Sequence, residues 1–149
     1  MADNPLTILQ HLRDISGAQE TVGLGDEIIA RFCATDTQLV QAINEAGEAH
    51  HALVKEFGMD VMALPESELI PHLQQDYVNF YAPATVNPYI PIAGRGPWLV
   101  TSSGAVLHDN GGYGMLGSGH GPDSIIKAMS QNWVMANVMT PSFSQKRLG

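Results

Sequence analysis

The chain has 149 residues, 44% of them hydrophobic, and a formal charge of -8 with only seven Lys plus Arg. That length suits one domain, or one domain with an appendage, and the composition belongs with globular rather than disordered chains. So acidic and cation-poor a chain argues against nucleic acid and anionic membranes as partners, because both are held by clustered positive charge.

Cys33 is the single cysteine. It excludes an internal disulfide framework and fits a reducing compartment. Its neighbours in EIIARFCAT are mostly apolar, which predicts a small buried hydrophobe rather than a reactive thiol. The opening MADNPLTILQHLRD lacks a basic region followed by a long apolar run, and no 18-residue apolar stretch occurs. Neither a signal peptide nor a membrane span is expected, and the expected location is cytoplasmic.

Residues 1–82 read as helices. NPLTILQHLRDIS places Asn4 as the N-cap, with Pro5 at the first helical position. GDEIIARFCA begins a short second helix. In TDTQLVQAINEAGEAHHALVKEFG, residues Leu39, Val40, Ile43, Ala46, His50, Leu53, Val54 and Phe57 recur at helical spacing, and Gly58 stops the run. LPESELIPHLQQDYVNFY supplies a fourth helix that Pro71 should kink or divide. Residues 83–97, with four prolines and two glycines, form an extended or turning connector. From 98 the pattern turns to short β-strands: WLVTSS and AVLHD join around Ser103 and Gly104 as a hairpin. GPDSIIKAMSQNWVMANVM then opens a helix at Pro122, with Asp123 and Ser124 in its first turn and Ile125, Ile126, Met129, Trp133 and Ala136 along one side. The fold class is therefore α+β: a helical extension over 1–82, a connector over 83–97, and a hairpin with a helix over 98–149.

The stretch 111–121, GGYGMLGSGHG, holds six glycines in eleven positions. Gly112, Gly114 and Gly117 make a formal G-x-G-x-x-G. However, no helix follows directly and no acid stands about 20 residues on, so a dinucleotide site is not indicated. No Lys follows these glycines in phosphate-loop spacing, and Ser118 lacks the Gly two places before it that a nucleophile elbow requires. Glu48 and His51 form one E-x-x-H pair, whereas a carboxylate-bridged metal bundle needs two such pairs. His50 and His51 diverge by about 100° on a helix, so they read as solvated histidines on its face. His108, Asp109 and His120 have room to approach one another, but without metal-ligand spacing. No metal is expected.

Taken together, Trp98-Leu99, Gly104, Leu107 to Asp109, Gly119-His120-Gly121-Pro122, Ile125-Ile126 and Ala128 resemble the N-terminal region of class III aminotransferases, the ornithine/4-aminobutyrate type. The resemblance spans about residues 94–148, with one extra residue near Asn110 and Thr101 where the family often has Asp. It implies a pyridoxal-phosphate enzyme that moves an amino group from an amino donor to a 2-oxo acid, as a homodimer. It also implies that the segment matching 111–121 lies beside the active site. Gly112 and Gly114 would give room there, Tyr113 would face substrate, and Gly119, His120 and Pro122 would hold the turn. The family's Schiff-base lysine, its pyridine-binding Asp and its phosphate loop all lie downstream of the matched region. Lys55, Lys127 and Lys146 do not match that lysine's context. The resemblance thus implies the front portion of a longer enzyme, truncated before its cofactor domain and inactive alone, with no catalytic residue of its own. The alternative is a non-enzymatic interaction module whose helices dock on a partner.

Overall fold

A computed structural model of the protein describes residues 4–76, 89–110 and 117–131. The architecture is α+β, with six helices and one three-stranded antiparallel sheet among the described residues. Helix α1 (Pro5–Ile15) begins as its sequence requires, with the Asn4 side chain accepting from the Leu6 amide at 3.1 Å and Pro5 at the first helical position. Helix α2 (Asp26–Cys33) starts at Gly25 with two acids in its first turn. Helix α3 (Thr37–Phe57) is the longest, and Asp36 caps it by accepting from the Gln38 and Leu39 amides. It ends at Gly58, whose φ of 91° lies in the region that favours glycine. A short helix α4 (Met59–Met62), not expected from the sequence, follows directly. Helix α5 (Glu66–Gln74) continues through Pro71. Residues 77–82, read as its extension, lie outside the described residues.

The connector contains a strand. Strand β1 (Pro91–Arg95) pairs with β2 (Trp98–Thr101), and β2 with β3 (Val106–His108), giving the order β1-β2-β3. Proline and glycine are poor strand formers, but here Pro91 opens an outer strand, where a missing amide is tolerated. Gly96, with φ 54°, and Pro97 form the two-residue turn to β2, the arrangement that puts glycine first in a hairpin turn. The second hairpin turns at Gly104, φ 75°, as its sequence indicates, with Leu99 opposite Leu107 and Val100 opposite Val106.

Alternation along β2 decides which face meets the helices. Trp98, Val100 and Val106 are buried with Leu9, Leu12, Ile29, Leu39, Ala42, Ile43 and Ala46 in one cluster. Helices α1, α2 and α3 and the hairpin thus share one core. Each sheet edge meets another segment at one point. The Leu24 amide donates to the Val106 carbonyl at 2.9 Å beside β3, and His120 bridges Gly96 at the turn beyond β1.

Two single residues tie distant elements to this core. Asp36 caps α3 with Oδ1 and accepts the Trp98 indole N–H on Oδ2 at 2.8 Å. Trp98 itself stands edge-on between Phe32 and His108, with ring centres 5.0 and 4.7 Å away. Glu66, 3% exposed, accepts from the amides of Glu20 and Thr21 at 2.9 and 2.7 Å and from the Ser103 hydroxyl at 3.3 Å. It thereby fastens the 17–24 loop and the β2–β3 turn to the start of α5.

His50 corrects the sequence reading. It is 2% exposed rather than solvated, while His51 is exposed. The reason is position: His50 continues the Ile43–Ala46 stripe that faces the core, and one turn earlier Gly47 lies so close to Ile8 of α1 that a Cβ would meet Ile8 Cγ2 at 2.9 Å. His50 Nε2 has no hydrogen-bond partner among the described residues. Burial, then the neighbouring His11 and His51, lowers its pKa below the ordinary 6.5. A group lowered by folding takes its proton more readily in the unfolded chain, so its contribution is complete above 6.5 and is lost as pH falls below that value. Urea titrations at stepped pH should show wild-type stability falling below pH 6.5 more steeply than that of His50→Leu, by at most about 1.4 kcal/mol per pH unit. Parallel curves for the two proteins would refute this assignment.

Candidate functional site

The sheet face away from the helices carries the cross-strand row Gly94, Leu99 and Leu107, with both leucines half-buried. The chain returns over this face at residues 119–121. A Cβ on Gly94 would sit 3.0 Å from His120 Cβ and from Leu99 Cδ2, so the bare glycine makes the space that His120 fills. The His120 amide donates to the Gly96 carbonyl at 2.7 Å, and the Gly96 amide donates back to the His120 carbonyl at 2.9 Å.

These contacts explain part of the glycine stretch. Gly119 and Gly121 have φ of 72° and 57°. A Cβ would bring Gly119 within 2.7 Å of Gly96 Cα, and Gly121 within 2.7 Å of the Gly94 carbonyl oxygen. Both residues need glycine's backbone freedom and its lack of a side chain to lie against the β1–β2 turn. The described end of the stretch is therefore built to approach the protein's own sheet.

Asp109 leaves β3 beside the same turn, its amide donating to the Pro97 carbonyl at 2.7 Å. Its carboxylate Oδ2 meets His120 Nε2 at 2.9 Å, with both side chains about a quarter exposed or less. Arg95, at the end of β1, forms a second tie. Its Nε and a terminal nitrogen hold the Glu45 carboxylate of α3 from two sides, and the other terminal nitrogen reaches the Gly121 carbonyl and the Asp123 carboxylate. The Arg95 hydrogen bond, more than any other influence, holds Glu45 below the usual carboxylate range. Helix α6 (Asp123–Met129) starts from this clamp, with Pro122 as its N-cap. Ile125, Ile126 and Met129 are exposed along it.

The residues expected to hold the turn, Gly119, His120 and Pro122, thus come together between the β1–β2 turn and α6. Gly112, Tyr113 and Gly114, expected to face substrate, lie outside the described residues, as do Trp133 and Ala136. His108 does not join Asp109 and His120; its ring packs on Trp98. Among the described residues no group of three or more His, Cys, Asp or Glu is placed to hold a metal ion. Cys33 packs half-buried against the core, and burial, reinforced by Asp36, raises its thiol above its ordinary pKa. A protonated thiol is a poor nucleophile. Lys55 and Lys127 are exposed on α3 and α6. The cavity beside Glu66, lined by Ser16, Met62, Leu69 and Ser103, measures about 10 Å³, room for about one water.

The Arg95 clamp is what the sequence reading missed. A signal was present: Arg95 is the sole Lys or Arg between Lys55 and Lys127. A lone cation in a mostly apolar stretch asks for acidic partners. Among the described residues no helix is long and apolar enough to cross a membrane. No protein-family model matches the chain, and no curated protein or solved structure matches it.

Proposed function

We propose that the chain is the N-terminal portion of a pyridoxal-phosphate-dependent aminotransferase of class III, moving an amino group from an amino donor to a 2-oxo acid. One observation carries the reading, the succession from residue 98 to 129. Trp98-Leu99 opens a strand, Gly104 turns it, Leu107 to Asp109 closes the hairpin, and Gly119-His120-Gly121-Pro122 leads into a helix containing Ile125, Ile126 and Ala128. Trp98 starts a strand, Gly104 lies in a turn and Pro122 caps a helix, which is the order of elements that the resemblance implies. The core-facing sides of α1 and α3 are occupied by the hairpin, which weighs against a module whose helices dock elsewhere.

The described residues do not fit the cofactor itself. Lys55 and Lys127 stand exposed on helix surfaces. The first turn of α6 presents the Asp123 carboxylate, paired with Arg95, where a phosphate would need free donors. In this reading the cofactor is held by sequence downstream of the matched segment. The residues at hand contribute a wall: a sheet face, a tightly seated turn and the entrance to the glycine stretch.

Expression of the whole gene tests the proposal. Its product should carry a cofactor absorbance that borohydride bleaches, and should convert a 2-oxo acid to an amino acid at the expense of an amino donor. Residues 1–149 alone should do neither. A whole-gene product without cofactor or amino transfer would sink the reading.

A further inference from the structure

We propose that the cavity beside Glu66 is a binding site for one water molecule, which donates one hydrogen to the Glu66 carboxylate and the other to the Ser16 hydroxyl. Three elements meet there. Ser16 caps the end of α1, Glu66 opens α5, and Ser103 lies in the turn between β2 and β3. All three residues line the space, which at about 10 Å³ suits a single water.

Hydrogen bonding around Glu66 leaves a place for one more donor. A carboxylate offers about four acceptor positions. Glu66 Oε2 takes the Glu20 and Thr21 amides at 2.9 and 2.7 Å. Among the described residues Oε1 takes only the Ser103 hydroxyl, at 3.3 Å. Hydroxyl donors usually approach to about 2.7–2.8 Å, so Oε1 is the less satisfied oxygen. At 3% exposure, Glu66 is shut off from bulk solvent. Ser103 has no second hydrogen to give. The Ala105 amide donates to Thr101 Oγ1 at 3.1 Å, Thr101 donates to Ser103 at 3.0 Å, and Ser103 donates to Glu66. Ser16 also lacks a spare hydrogen. Its single hydroxyl proton serves the Leu12 and Ser102 carbonyls, at 2.8 and 3.1 Å, so its oxygen remains as an acceptor. Two acceptors on one small space call for a molecule with two hydrogens to donate, and buried waters are held in this way. A metal cation fits poorly. Calcium takes about six to eight oxygens, whereas Met62, Leu64 and Leu69 supply much of this wall.

Magnetic relaxation dispersion of the solvent, which counts long-lived internal waters, tests the site on the 149-residue protein. Ser16→Val removes one acceptor and fills the space with a methyl group, and should lose one long-lived water per molecule. Ser67→Ala, exposed on α5, should lose none. Equal counts in wild type and Ser16→Val would overturn the site. A crystal structure of the wild type decides the matter even if that variant fails to fold. One density peak should stand about 2.7–3.0 Å from both a Glu66 carboxylate oxygen and Ser16 Oγ. A cavity without density would overturn the site as well. So would a peak ringed by oxygens at about 2.3–2.6 Å, together with a melting temperature raised by one particular cation, since the occupant would then be that ion.

Discussion

Replacing Asp36 with alanine should cost about 2–4 kcal/mol, the sum of a lost helix cap and a buried indole N–H left without its acceptor. Few single residues serve two elements so directly. Oδ1 satisfies amides at the head of α3, and Oδ2 takes the hydrogen of Trp98, a side chain 1% exposed and 62 positions away. The two roles separate by substitution. Asp36→Asn can keep the cap through its carbonyl oxygen, but it then turns an NH₂ toward the indole donor, so about half the loss should remain. Asp36→Ser should likewise cap α3 without reaching Trp98. Thermal unfolding reads the result, with Asp36→Ala melting roughly 6–12 °C below wild type. An alanine variant within about 0.5 kcal/mol of wild type would show that neither bond matters.

Glu66→Ala should be comparably damaging, at about 2–4 kcal/mol, because it strands two loop amides at once and leaves the Ser103 hydroxyl with Thr101 alone. The carboxylate is tolerated in the interior for identifiable reasons. It sits in the first turn of α5, where the helix end is positive, and it accepts three hydrogen bonds. Glu66→Gln retains one acceptor oxygen and should lose about half as much. Exchange at the Glu20 and Thr21 amides should accelerate in the alanine variant well before global unfolding. Protection there equal to wild type would mean that the loop is held by something other than Glu66.

What could be read from the sequence divides by range. The cap and proline of α1 and the glycine that turns the second hairpin are local patterns that appear where expected, whereas the α3 stripe is buried only from Leu39 to His50 and Phe57 at its end is exposed. Strand β1 was hidden because PIAGR has a poor strand composition. It pairs because β2 offers an edge and α3 a surface, a tertiary effect with no local trace. His50 has the polarity of a solvated residue but the position of a core one, and position decides its burial. At the candidate site, the glycine stretch gave Asp109 and His120 room to meet, as they do. The pairing of Arg95 with Glu45 and of Trp98 with Asp36 was not legible, since 50 and 62 residues separate the partners. Side chains that meet across such spans leave no periodic mark, only an unpaired charge or a polar tip in an apolar run.

The core shared by helices and hairpin has a consequence for biosynthesis. The Arg13 guanidinium seeks the carbonyl of Gly104, 91 positions later, and the Leu24 amide waits for Val106. On the ribosome, the greasy sides of α1 and α3 must therefore remain uncovered until residue 106 has been translated. A nascent chain stalled anywhere between residues 76 and 98 would offer chaperones and proteases an unfinished, sticky surface. Its completion is one late event, the arrival of Trp98, Val100 and Val106.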